Sequence, residues 1–160
     1  MSVIIDHIKI GENNPLVLIA GPCVVENEKM IMETAESIKR ITSELKIPFI
    51  FKSSFKKANR TNLRSFTGLG DEESISILKK VKKEFNIPVV TDIHTESDIE
   101  LVGDAADILQ IPAFLSRQTD LLIAAGRSGK VVNIKKGQFL APEDMKHVAD
   151  KVLSTGNNRI

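Results

Sequence analysis

Tryptophan and tyrosine are both missing from the 160-residue chain, which leaves seven phenylalanines to stand for the large aromatics. The core must therefore be built mainly from Ile, Leu and Val, a composition that suits buried parallel strands better than an aromatic-rich sandwich. Cysteine is nearly absent too. Cys23 stands alone, so no internal disulfide can form, and a reducing, cytoplasmic setting is the natural reading. No apolar run exceeds strand length, which excludes a transmembrane helix. The opening MSVIIDHIKIGENN interrupts its apolar stretch with Asp6 and His7 and has no small-residue cleavage site, so it is not a signal peptide. Net charge is only +1, which gives no electrostatic reason to expect nucleic acid or a membrane surface as partner. GxGxxG after a strand and GxxxxGK[ST] are both lacking, so a nucleotide-binding glycine loop is unsupported.

What is present is an alternation of short β-rich runs with longer helical patterns. Strands are expected at 16–20, 49–52, 88–92, 108–111 and 131–134. Between them, Ile31, Ala35, Ile38, Ile41 and Leu45 recur at helical spacing, as do Ile75, Leu78, Val81 and Phe85. Asp71 is the expected N-cap of the second helix, and Thr95-Glu96-Ser97-Asp98 matches a capping box opening the third. Further helices are expected at 118–125 and 143–154, the last bracketed by Pro142 and Gly156. Arg159 and Ile160 read as the start of another strand, and residues 3–10 as a hairpin covering one end of the fold. No linker divides the chain, so residues 1–160 are expected to form one domain.

Five βα units imply a parallel sheet with right-handed crossovers, either doubly wound or closed into a barrel. Polar residues follow every strand: Gly21-Pro22-Cys23, Lys52-Ser53-Ser54, Thr91-Asp92-Ile93-His94, Gln110-Ile111-Pro112-Ala113 and Lys135-Lys136-Gly137-Gln138. An open sheet concentrates reactive side chains at its switch point, whereas a barrel gathers all C-terminal strand ends at one mouth. The expected fold is thus α/β, a (β/α)8 TIM barrel of which this chain supplies about the first five units. A complete barrel takes about 250 residues.

Lys52, Lys57, Arg60, Arg117, Lys135 and Lys136 lie at or just beyond strand ends, and six cations around one mouth suit a substrate with several negative charges. Asp92 and His94 share a strand face by the period of two; they read equally as a proton-transfer pair or as a structural hydrogen-bond pair at the rim. Cys23 is either a small buried hydrophobe or a thiolate at the mouth, serving as metal ligand or nucleophile. His7 and His147 fall away from the mouth.

The segments Ile19-Ala20-Gly21-Pro22-Cys23, Phe51-Lys52-Ser53-Ser54-Phe55, Lys57-Ala58-Asn59-Arg60, Thr91-Asp92-Ile93-His94, Gln110-Ile111-Pro112-Ala113-Phe114-Leu115, Arg117-Gln118-Thr119-Asp120 and Lys135-Lys136-Gly137-Gln138-Phe139 together resemble, in order and spacing, the 3-deoxy-D-manno-octulosonate 8-phosphate synthases. The resemblance runs from about Leu16 to the end of the chain. It implies condensation of phosphoenolpyruvate with arabinose 5-phosphate, releasing phosphate, in lipopolysaccharide precursor synthesis. It further implies that Lys52, Ser54, Gln110, Ala113 and Lys135 hold phosphoenolpyruvate, with Lys57 nearby, and that Asn59 and Arg60 hold the sugar phosphate. Arg117 is implied to reach that phosphate from a neighbouring subunit of a homotetramer. Asp92, Lys52 and Asn59 are the implied catalytic residues, and Cys23 is the implied ligand of a divalent metal ion.

Two departures stand out. Lys56 occupies a position where the family usually has Asp, which adds positive charge beside the sugar site. The family's later strands, carrying an Arg for phosphoenolpyruvate and the His, Glu and Asp that complete the metal site, have no counterpart in these residues. The chain alone is therefore expected to show no synthase activity. The nearest rival is the related synthase that uses erythrose 4-phosphate, whose second-strand loop reads more like Lys-Pro-Arg-Thr. A rival of another class is a non-catalytic half-barrel that binds anions or pairs with another chain.

Overall fold

The computed structural model describes residues 2–160. A hairpin of β1 (Val3–Ile5) and β2 (Ile8–Ile10) comes first, as expected. Five parallel strands follow: β3 (Leu18–Ala20), β4 (Phe49–Lys52), β5 (Val89–Asp92), β6 (Ile108–Ile111) and β7 (Val131–Ile134). Between and after them lie α1 (Glu28–Glu44), α2 (Asp71–Phe85), α3 (Ser97–Val102), α4 (Thr119–Arg127) and α5 (Met145–Leu153). The strands are ordered β3-β4-β5-β6-β7 with no reversal, so there is no switch point of the doubly wound kind. They curl into part of a barrel, and no closed eight-stranded ring forms among the described residues.

Alternation along each strand divides the sheet into two faces. Phe49, Phe51, Val89, Leu109, Ile111 and Val132 point outward into one core with Ile31 and Ala35 of α1, Leu78 and Val81 of α2, Leu122 of α4 and Val152 of α5. Ile50, Val90, Ile108 and Val131 point inward and pack against Ile5 and Ile8 of the hairpin, which plugs the N-terminal end of the strands. Helices on one face and a plug on the other are what a barrel demands. Arg159 continues the pattern: its carbonyl accepts from Val132 N at 2.9 Å, and Ile160 packs on the outer core, so the chain runs on beside β7.

Several local expectations shift. In α1 the buried positions are Ile31, Ala35 and Thr42, while Ile41 and Leu45 are exposed. The buried stripe drifts with the 3.6-residue turn, and Thr42 is tolerated because its hydroxyl donates to Ile38 O at 2.9 Å. Asn27 caps this helix, its side chain accepting from Met30 N at 2.8 Å. Gly70, not Asp71, is the cap residue of α2; Asp71, Glu72 and Glu73 fill the first turn, where negative charge complements the helix dipole. The capping box at 95–98 is only half made. Asp98 Oδ2 accepts from Thr95 N at 3.0 Å, but Thr95 Oγ1 pairs with Ser97 Oγ.

Gly21, directly after β3, fixes how closely two strand ends approach. A Cβ there would lie 2.0 Å from the carbonyl oxygen of Lys52. Only a residue without a side chain lets the turn carrying Cys23 lie against the end of β4.

Candidate active site

Two residues further along each strand, at the next inward position, the inner face changes from apolar to polar. Register sets Asp92 opposite Gln110 and Gln110 opposite Asn133. Their side chains join in that order: Asn133 Nδ2 donates to Gln110 Oε1 at 2.8 Å, and Gln110 Nε2 donates to Asp92 Oδ1 at 2.5 Å. From the other side, Ser54 Oγ donates to Asp92 Oδ2. Lys52 Nζ donates to Ser54 Oγ at 2.9 Å, lies 3.3 Å from Asp92 Oδ2, and reaches the Cys23 carbonyl at 3.3 Å. A continuous network thus crosses β4, β5, β6 and β7 and converges on one carboxylate, with a side branch from Lys52 to the Cys23 carbonyl.

That direction decides the ionisation of Asp92. Burial alone would raise its pKa, but the charge of Lys52 and hydrogen bonds from Gln110, Ser54 and Lys52 outweigh it and hold the carboxyl below the usual range. Asp92 is an anion at neutral pH. It holds the Lys52 ammonium in place at 3.3 Å, and it is a poor proton donor.

Above this network opens a cleft of about 300 Å³, lined among others by Cys23, Lys52, Ser54, Lys56, Lys57, Asn59, Asp92, His94, Ala113, Lys135 and Gln138. Of its four lysines, Lys52 is paired with Asp92, and Lys56 with Asp71 and Asp98. Lys57 and Lys135 are exposed and have no acidic partner within 4 Å among the described residues. Those two ammonium groups are the ones available to an anion entering the cleft.

His94 forms part of the wall. Its ring meets Phe55 edge-on at 5.9 Å between centroids, and Nδ1 lies 3.6 Å from Asp98 Oδ2 without a hydrogen bond. Burial holds its pKa below 6.5, and the Lys56 charge adds to this against the opposing pull of Asp92 and Asp98. Asp92 and His94 both face the cleft, yet no hydrogen bond joins them among the described residues.

Of the residues singled out in the sequence, Cys23, Lys52, Ser54, Lys57, Asn59, Asp92, Ala113 and Lys135 converge on this cleft. Gln110 lies beneath it, 5% exposed, with its amide nitrogen and oxygen taken by Asp92 and Asn133. Arg60 turns back, Nη1 donating to Lys57 O at 3.4 Å. Arg117 sits in a different hollow with Phe139, Asp144, His147 and Lys151. His7 is exposed beside Asp6 and His147 is exposed on α5, both away from the cleft. Sequence reasoning misses Asn133, takes Asp98 only as part of a capping box, and names Gln138 only within the polar run after the fifth strand. Asn133 was legible in principle, as a polar residue two before Lys135 on a strand of otherwise apolar side chains.

Cys23 is exposed at the cleft, so the buried-hydrophobe reading fails. One thiolate is a single ligand of the four that a zinc-like site typically uses. No group of three His, Cys, Asp or Glu side chains comes together among the described residues. Asp92 is moreover committed to Lys52, Ser54 and Gln110. The donors present therefore do not make up a complete metal site.

A family model described as the DAHP synthetase I family matches residues 2–160. The chain belongs to this family. Among curated relatives, this DAHP synthetase I family member is 56% identical over 156 residues to a 2-dehydro-3-deoxyphosphooctonate aldolase from Geotalea uraniireducens, covering 98% of the chain and 57% of the relative. A protein of the same name from Variovorax paradoxus is 61% identical over 142 residues, covering 89% of the chain and 50% of the relative. One from Rickettsia felis is 55% identical over 152 residues, covering 95% and 56%. The chain thus spans about half the length of the curated relatives it matches. No helix among the described residues is long and apolar enough to cross a membrane.

Proposed function

We propose that these residues form the phosphoenolpyruvate-binding and sugar-facing half of a 3-deoxy-D-manno-octulosonate 8-phosphate synthase, within a (β/α)8 barrel that further strands complete. The observation that carries this reading is the cleft itself. Two free ammonium groups, Lys57 and Lys135, stand above a fixed Lys52–Asp92 pair at the C-terminal strand ends, where barrel enzymes keep their chemistry. High identity to proteins named for the octulosonate product supports the choice of substrates.

In the reaction, C3 of phosphoenolpyruvate attacks the aldehyde carbon of arabinose 5-phosphate and forms the carbon–carbon bond. The aldehyde oxygen takes a proton, water adds at C2, and the C2–O bond breaks to release inorganic phosphate. Lys135 and Lys52 neutralise the phosphoenolpyruvate anion, with Ser54 and the Ala113 backbone shaping its seat. Lys57 stands beside the phosphoenolpyruvate seat and Asn59 takes the sugar phosphate from the cleft wall; Arg60, whose side chain turns back to Lys57 O, joins Asn59 only by swinging into the cleft. Two anions that repel in water are thereby held together and oriented. Asp92, fixed as an anion, orients Lys52 and the sugar rather than donating a proton, and Gln110 acts through Asp92. A divalent metal at Cys23 would polarise the aldehyde or activate the water, with its remaining ligands outside these residues. The protein works in the cytoplasm as a homotetramer, with Arg117 serving a neighbouring subunit's cleft; its position outside the chain's own cleft supports that division.

The test is phosphate release by a protein in which residues 1–160 replace the matched segment of the Geotalea uraniireducens relative. Release dependent on arabinose 5-phosphate, at least tenfold faster than with erythrose 4-phosphate, is expected. Equal or faster turnover of erythrose 4-phosphate overturns the substrate assignment. The 160-residue chain alone is expected to release no phosphate above background.

A further inference from the structure

Lys56 differs from its neighbours in the cleft because its charge is already spoken for. Its Nζ lies 3.4 Å from Asp71 Oδ2 at the start of α2 and 3.6 Å from Asp98 Oδ1 on α3, and 5.1 Å from the centre of the Phe55 ring. Asp98 is 4% exposed. Its second oxygen accepts from the backbone of His94 at 2.7 Å and of Thr95 at 3.0 Å. Backbone donors alone leave a buried carboxylate without a counter-charge, which is unfavourable. Lys56 supplies that charge from the loop after β4.

The neighbouring residues give this contact a consequence. Phe55 is fully buried and its backbone N–H bonds Thr91 Oγ1 at 3.2 Å, so the chain is anchored just before Lys56. Lys57 N bonds Thr67 O at 2.7 Å, and the exposed Lys57, Ala58 and Asn59 then line the cleft. Lys56 is therefore the side chain that ties this segment to the turn carrying His94. A phosphate placed at its ammonium would have to approach two carboxylates within 4 Å of the same nitrogen, and like charges at that range repel.

We propose that Lys56 is a positioning residue, which through Asp98 clasps the 57–59 segment and the His94 turn into one wall of the cleft, and that it does not itself bind the anionic substrate. This rests on the reading of the cleft as a site for phosphorylated substrates. Its consequences extend to residues that do not ligate anything.

The experiment uses the 160-residue chain with inorganic phosphate as probe, followed by amide and His94 ring resonances in NMR titrations. Lys56→Met and Asp98→Asn are each expected to weaken phosphate binding two- to fivefold and to speed amide exchange at 57–59. The double variant should do no more than either alone, and Lys56→Arg should restore both readouts. Asp98→Asn decides the matter by sign. If it tightens phosphate binding while Lys56→Met weakens it, Lys56 is an anion ligand restrained by Asp98, and the clasp is wrong. The His94 ring faces Asp92 on its own strand end, Asp98 on α3 and Lys56 on the loop, with Glu96 and Asp120 around the hollow on its other side. Removing the Lys56 charge should raise its titration midpoint, while Asp98→Asn should lower it. If the unaltered chain binds no phosphate, the substrate-site reading fails. The clasp is then judged by exchange and His94 titration alone, and no change in either on Lys56→Met overturns it.

Discussion

The two faces of the sheet follow the same alternation and are put to different uses. On the outer face, Phe49, Phe51, Val89, Leu109, Ile111 and Val132 are all buried under helices, and the polar Thr91 among them is satisfied by the Phe55 N–H at 3.2 Å. On the inner face, Ile50, Val90, Ile108 and Val131 make a dry floor over the hairpin, and the next inward position on each strand is Lys52, Asp92, Gln110 or Asn133. The outer face is specified by volume. The upper inner face is specified by hydrogen-bond direction and charge, and it is tolerated in the interior only because each polar group is satisfied by the next. Stability and function are thus separated by one side-chain step along each strand.

Mutation should separate them as well. Phe51→Ala on the outer face removes a fully buried ring and is expected to destabilise the chain by about 3–5 kcal/mol in urea denaturation. A loss below 1 kcal/mol would mean the outer core is not the main support. Gly21→Ala attacks the junction between the faces. Its Cβ meets backbone at the end of β4, and a destabilisation of about 1–3 kcal/mol is expected, with shifted resonances for Lys52 and Cys23. Unshifted Lys52 resonances would show that the turn does not set the lysine's position.

Acid should act on the cleft wall. His94, Asp92 and Asp98 all have folded pKa values below their ordinary ones, so each binds its proton more weakly folded than unfolded. Their contributions are present at neutral pH and are lost as pH falls, first from about 6.5 downward through the folded value of His94, then from about 4 downward through those of the two aspartates. His94→Gln should flatten the first part of the stability profile, and an equally steep fall between pH 6.5 and 5 in that variant would remove His94 from the explanation. The smallest effect belongs to the solvated helix surface. Arg40→Ala, breaking an exposed pair with Glu44 at 3.6 Å, should change stability by no more than about 0.5 kcal/mol.

Much of this architecture was legible because alternation and helical spacing are local. The five parallel strands, the hairpin and the placement of Lys52, Asp92 and Lys135 at strand ends all follow from period two and from where polar residues interrupt it. What stayed hidden depends on contacts between distant elements. Asp98 looked like a helix cap, and its link to Lys56 joins α3 to the loop after β4. Asn133 and Gln110 became visible as partners only once register set them side by side. Arg60 and Arg117 lie on loops whose paths strand periodicity does not determine, and neither lines the cleft of this chain. Motif resemblance carried the site further than spacing did, because each strand end contributes only one or two residues to the shared mouth.

The most direct measurement is a carboxyl-carbon NMR titration of Asp92, in the unaltered chain and in Lys52→Met. The expected result is a midpoint below 3.8 in the first and a clear upward shift in the second, as follows if Lys52 and the hydrogen-bond network hold this carboxylate as an anion. A midpoint at or above 3.8 that ignores the loss of Lys52 would contradict the charged framework on which the cleft is built.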